Sequence, residues 1–186
     1  MIIPLISIAS VLFCCIEIAL YLLYSLGLFR MAKRLNIKNP WFSFVPVLSQ
    51  NLNGRISDTV ACAHSKKPFF AFLLPALFAV KAVFLSAAET IFTKNVINIV
   101  WQAMRNKIDL LEVSNFAGFK AVILPFVLAV LFGIAYRVVR LVSLYKIYGK
   151  FNPQNKTVYT VLDVFLSFLT PIFVFTSSRK EIIGEQ

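Results

Sequence analysis

Residues 2–29 read IIPLISIASVLFCCIEIALYLLYSLGLF, with one charged side chain, Glu17, before the basic run that opens at Arg30. Three further apolar stretches follow, Pro68–Ala88, Phe119–Tyr136 and Thr157–Thr176. Each is long enough to cross about 30 Å of hydrocarbon as a helix. Composition agrees: 59% of the 186 residues are hydrophobic, 19 of them Phe, and mean hydropathy is +0.80. A single water-soluble core of this size has no room for so much apolar surface. The expectation is an all-α integral membrane helix bundle, one domain over residues 1–186, with four transmembrane helices.

Net charge is +11, which in a soluble chain would suggest nucleic acid. Its placement argues for a membrane surface instead, and no nucleic-acid partner is expected. After the first stretch come Arg30, Lys33, Arg34, Lys38, Arg55, Lys66 and Lys67 against Asp58; after the third come Arg137, Arg140, Lys146, Lys150 and Lys156 with no acid. Residues 89–118 balance Lys94, Arg105 and Lys107 with Glu89, Asp109 and Glu112. The excess of Lys and Arg assigns the first and third loops to the cytoplasm. With four spans, both termini and the second loop then lie outside. The first stretch reads as a signal anchor, because its apolar run is long and its charges follow it.

Two spans continue as basic amphipathic helices. Arg30 to Leu35 keeps helical spacing until Asn36, and Val138, Leu141, Val142, Tyr145 and Tyr148 form a stripe that Gly149 is expected to stop. Arg30, Lys33, Arg34, Arg137, Arg140 and Lys146 are the expected contacts to anionic headgroups on the cytoplasmic side. The two segments also match: Leu28-Phe29-Arg30-Met31 and Asn36 parallel Leu144-Tyr145-Lys146-Ile147 and Asn152, with Pro40 and Pro153 close behind. A duplication of this kind, with both copies facing one side, is a parallel repeat.

Asn39-Pro40 breaks the first helix. Trp41 to Leu48 is apolar but too short to span, and Gln50, Asn51 and Asn53 follow. This segment reads as an interfacial or re-entrant half-helix, with its amides either lining a cavity or facing water. Phe92, Val96, Val100, Met104, Ile108 and Leu111 make Glu89–Val113 an extracellular amphipathic helix, lying in the interface or packed over the extracellular ends of the bundle.

Glu17, Lys81 and Asp163 are ionisable residues within the apolar stretches, where charge is costly and either pairs or serves function. Glu17 and Lys81 both sit toward the outer half of their spans, which suits either an interhelical ion pair or a transport site; Lys81 can also snorkel. With Gln50, Asn51 and Asn53 they form the candidate intramembrane polar site. Cys14, Cys15 and Cys62 include no C-x-x-C pair, and His64 is the single histidine, so no metal site or cofactor is expected. No hydrolase, metalloprotease or phosphate-loop motif occurs, so no catalytic residue and no enzyme activity are expected.

The run from Tyr24 through Arg30, Lys33, Arg34 and Ile37-Lys38-Asn39-Pro40-Trp41, on to Pro46 and Ile56-Ser57-Asp58, resembles a group of small uncharacterised multi-pass membrane proteins of Gram-positive bacteria. Those chains carry an Ile-Lys-Asn-Pro-Trp segment after the first span, and often Gly-Asn where this one has Ser49-Gln50. The resemblance implies a bacterial inner-membrane home and brings no activity with it. The expected role is a non-catalytic accessory or interaction subunit of a membrane complex. The alternative is a small oligomeric permease using Glu17 and Lys81. Partners are therefore the bilayer and either a homo-oligomer or other membrane subunits.

Overall fold

The computed structural model describes residues 2–61, 68–106 and 117–179. Every regular element among them is helical. Helix α1 covers Ile2–Arg34. It stops at Asn36, whose φ of 52° is left-handed, and the Ile37 N–H donates back to the Ala32 carbonyl at 2.9 Å. That is the Schellman ending, with Asn in the place where glycine is commonest. Asn39, at φ 61°, turns the chain into a 3₁₀ helix at Pro40–Phe44. Pro46 then opens α2, Pro46–Ala61, at the position where a missing N–H costs nothing.

Helix α3 covers Phe70–Asn106 and α4 covers Ala117–Phe151. The expected separate helix from Glu89 is therefore continuous with the second span as far as Asn106; the remainder of that expectation lies outside the described residues. Gly149 is not a stop. Helix α4 runs through it to Phe151, and the break comes at Asn152 and the 3₁₀ turn Pro153–Asn155.

The fourth apolar stretch is not one continuous helix. It forms α5, Lys156–Phe165, a 3₁₀ turn at Ser167–Leu169, and α6, Thr170–Arg179. A ten-residue helix is about 15 Å long, half the thickness of the hydrocarbon layer. Among the described residues, three helices are long and apolar enough to cross a membrane, over Val11–Arg34, Phe70–Asn98 and Ala121–Phe151.

Contacts divide the chain into two compact units, Met1–Pro75 with Val138–Gln186, and Ala76–Arg137. The second is a helical hairpin held by aromatic pairs, Phe78 with Tyr136 and Phe84 with Phe132, both at 5.7 Å between ring centroids. The first has a core of Tyr24, Leu28, Met31, Leu52, Ile56, Leu144, Ile147, Tyr148, Phe151 and Val174. Its outer surface is apolar as well: Trp41, Val47, Val158, Val161, Phe165 and Phe168 are all exposed, while Ser49, Asn53, Asp58, Asp163 and Thr170 are buried. Short helices with apolar outer faces and polar inner ones suit a solvent that is itself apolar.

Candidate functional site

Two polar constellations sit inside the first unit, each where a short helix meets the start of the next. The first lies on one face of α2. Asn51, Gly54 and Asp58 recur at helical spacing and all address Phe70 and Ala71, the opening residues of α3. The Asp58 carboxylate accepts the Phe70 N–H at 3.0 Å and the Ala71 N–H at 2.9 Å. Those amides belong to the first turn of a helix, which has no partners of its own for them, and an anion there also opposes the positive end of the helix dipole. Asn51 Nδ2 donates to the Ala71 carbonyl at 2.8 Å. That carbonyl lacks its helical partner because the residue four positions on is Pro75, which has no N–H. At Gly54 an added Cβ would overlap the Phe70 carbonyl and lie 2.6 Å from Ala71 Cα, so only glycine allows this approach.

The second constellation centres on Asp163. Tyr148 of α4 donates its phenolic hydroxyl to Asp163 Oδ2 at 2.9 Å, and Thr170, the first residue of α6, lies 2.9 Å from Oδ1. Asp163 itself is 2% exposed. Burial pushes its carboxyl above the usual carboxylate range, against the hydrogen bonds of Tyr148 and Thr170 and the positive charge of Arg140, which pull it down. Arg140 holds its guanidinium carbon 5.6 Å from the centre of the Tyr24 ring. The Tyr24 hydroxyl is buried within reach of that guanidinium.

The other residues singled out by sequence are scattered. Glu17 is exposed on α1. Lys81 is half-buried in the hairpin unit, its stem over Gly133, with Cε 3.7 Å from where a Cβ would stand. Gln50 and Asn53 are buried, and neither amide atom of Asn53 meets a partner among the described residues. Arg30, Lys33, Arg34 and Arg137 are exposed, as an encounter with headgroups requires; Arg140 and Lys146 are half-buried. Lys146 Nζ lies 4.3 Å from the centre of the Phe70 ring, and Arg30 5.0 Å from that of Phe175, both within cation–π range. Cys14 and Cys15 are exposed, and Cys62 and His64 fall outside the described residues.

Of the candidate polar residues, Asp163 is thus built into a buried cluster and Asn51 into a helix joint. Sequence reasoning missed Tyr148, Thr170 and Asp58. Asp58 carried a signal, as the single acid among seven cations in its segment; Tyr148 and Thr170 read as ordinary members of apolar stripes. Comparison with protein-family models, curated proteins and solved structures gives no match.

Proposed function

We propose that this chain is a multi-pass protein of a bacterial cytoplasmic membrane that works without catalysis, as an accessory or interaction subunit of a membrane complex. The supporting observation is Glu17. It stands exposed on α1 among Phe13, Ile16 and Ile18, which are 57–61% exposed. Arg30 follows thirteen residues later, so an Arg30 held near a headgroup would leave Glu17 about 20 Å away along the helix axis. An acid at that depth costs at least about 2.5 kcal/mol on an isolated span. A partner helix offering a cation or a hydrogen-bond donor removes that cost.

Glu17→Lys tests the reading on membranes solubilised in mild detergent. The native chain should migrate in a complex heavier than one 21.0 kDa chain, and the variant should leave that complex. A native chain that migrates alone overturns the proposal. An oligomeric permease using Glu17 and Lys81 predicts a different result for Glu17→Gln, in which the assembly stays intact and a pH-dependent flux is lost.

The Lys and Arg distribution supports an external N-terminus with the inner ends of α1 and α4 in the cytoplasm. Four spans would return the C-terminus to the outside. We infer a cytoplasmic C-terminus instead: Arg30 of α1 and Arg179 at the end of α6 stack on the same Phe175 ring, at 5.0 and 4.7 Å from its centre. A shared ring supports one membrane face for both.

A further inference from the structure

The turn between α5 and α6 is built for a solvent that offers no hydrogen bonds. It reads Phe165-Leu166-Ser167-Phe168-Leu169, without the glycine, proline, asparagine or aspartate that turns in water favour. Phe165 is 79% exposed, more than any other large apolar side chain among the described residues, and Val161, Val164 and Phe168 are exposed beside it. The polar groups of the turn are answered from within. The Leu166 N–H donates to the Leu162 carbonyl at 2.7 Å and the Leu169 N–H to the Leu166 carbonyl at 2.8 Å. The Ser167 hydroxyl donates to the Asp163 carbonyl at 3.1 Å, and the Ser167 carbonyl accepts the Thr170 N–H. Behind the turn, Asp163 accepts the hydroxyls of Tyr148 and Thr170. Irregular backbone at membrane depth requires this kind of satisfaction by 3₁₀ bonds and Ser or Thr side chains.

Both ends of this pair of helices sit at the basic ends of the long helices. Lys156, the first residue of α5, holds its Nζ 4.6 Å from the centre of the Tyr145 ring, and its Cδ is 3.7 Å from where a Cβ on Gly149 would stand; Tyr145 and Gly149 belong to the last two turns of α4. Arg179, at the finish of α6, shares the Phe175 ring with Arg30 of α1. Each arm has ten residues, so a turn reached from the inner headgroups lies about 15 Å in, near the middle of about 30 Å of hydrocarbon.

We propose that α5 and α6 form a re-entrant hairpin, which enters from the cytoplasmic face, turns at Ser167–Leu169 near mid-bilayer and leaves by the same face, with Phe165 and Phe168 seated among lipid acyl chains. It rests on the membrane reading given above and names what covers this surface. Val161, Val164, Phe165 and Phe168 carry no charge and no hydrogen-bonding group, so they suit fluid hydrocarbon, which needs no fixed register.

Spin labelling of the full chain in phospholipid nanodiscs, with Cys14, Cys15 and Cys62 replaced by serine, tests the hairpin. Nitroxides attached through Phe165→Cys and, separately, Phe168→Cys should be open to oxygen and closed to a water-soluble nickel chelate. Both positions are exposed, so neither label displaces a packed side chain. A pair of labels at Val158 and Thr176, both exposed, should lie well under the about 27 Å that eighteen residues of unbroken helix would impose. A label at Leu22, exposed on α1, is the reference for hydrocarbon. A Leu22 label reached by nickel overturns the membrane reading and the hairpin with it. With Leu22 in hydrocarbon, the hairpin alone is overturned by tip labels that nickel reaches, by tip labels closed to oxygen as well, as under a covering protein, or by a separation near that of a continuous span.

Discussion

Replacing Asp58 by alanine should be among the most damaging single changes in this chain. The carboxylate accepts two backbone N–H groups, from Phe70 and Ala71, at 3.0 and 2.9 Å, and it is 9% exposed. Hydrogen bonds to an ionised group contribute about 1.5–3 kcal/mol each, and a buried donor left unpaired costs its desolvation on top. Against this, water can reach part of a helix start, and substitutions at ordinary N-caps cost about 0.5–2 kcal/mol. About 3 kcal/mol is the resulting expectation for Asp58→Ala.

Asp58→Asn keeps one side-chain oxygen and loses the charge, so it should fall about midway, near 1.5 kcal/mol, as expected when one of two such bonds is lost. Asn51→Ala removes a neutral bond to the Ala71 carbonyl and should cost about 1 kcal/mol. Asp58 and Asn51 share Ala71, so the double variant should depart from the sum of the singles. Loss of the far-ultraviolet helical signal, followed against denaturing detergent at fixed lipid content, gives all four values. An Asp58→Ala variant within about 0.5 kcal/mol of the native chain, the usual range for surface substitutions, would refute the account of α2 as the clamp on α3.

Gly27→Val should lower the unfolding midpoint by the equivalent of about 1–3 kcal/mol, because its Cβ would meet Val174 Cγ1 at 2.9 Å and the Phe175 backbone at 3.0 Å; an unchanged midpoint would show that α6 can move away from α1. For topology, with Cys62 replaced, cysteines at Ser65, Asn155 and Gly184 should resist an impermeant thiol reagent in intact cells while one at Asn106 reacts, and labelling at Gly184 would restore an external C-terminus. Neutralising Arg30, Lys33, Arg34 and Arg137 together should weaken retention on anionic vesicles by about 1 kcal/mol per charge, and an unchanged salt-dependent retention would make these side chains merely solvated.

Periodicity and hydropathy are reliable where one solvent acts on a whole helix. They locate α1, the apolar parts of α3 and α4, and the half-helix after Pro40. The fourth stretch fails this test because its hydropathy equals that of a span while its backbone is interrupted. The signal was Pro171, which has no N–H to continue an α-helix across Ser167, so that the Ser167 carbonyl takes the Thr170 N–H of a 3₁₀ turn instead. The helix expected from Glu89 does not start there, since no breaker separates Ala88 from Glu89 and α3 continues to Asn106. Gly149 misled for the opposite reason: a glycine inside a well-packed helix costs only about 1 kcal/mol, and Tyr148 and Phe151, both almost fully buried, hold the last turn in place. Site residues were harder to read because their roles depend on chain segments far apart in sequence. Asp58 can be recognised as a cap only when Phe70 is seen beside it.

The short match between the ends of α1 and α4 has a structural counterpart that goes beyond its identities. Leu28 and Leu144, and Met31 and Ile147, occupy the same core. Each long helix ends before an asparagine, passes through a 3₁₀ turn opened by proline, and enters a shorter helix. Each of those helices carries one buried acid, and each acid holds the beginning of the next helix: Asp58 by the amides of Phe70 and Ala71, Asp163 by the hydroxyl of Thr170. The chemistry differs in one respect. Asp58 accepts main-chain amides, whereas Asp163 accepts the side-chain hydroxyls of Tyr148 and Thr170. The same joint is therefore built twice, once on main-chain amides and once on side-chain hydroxyls.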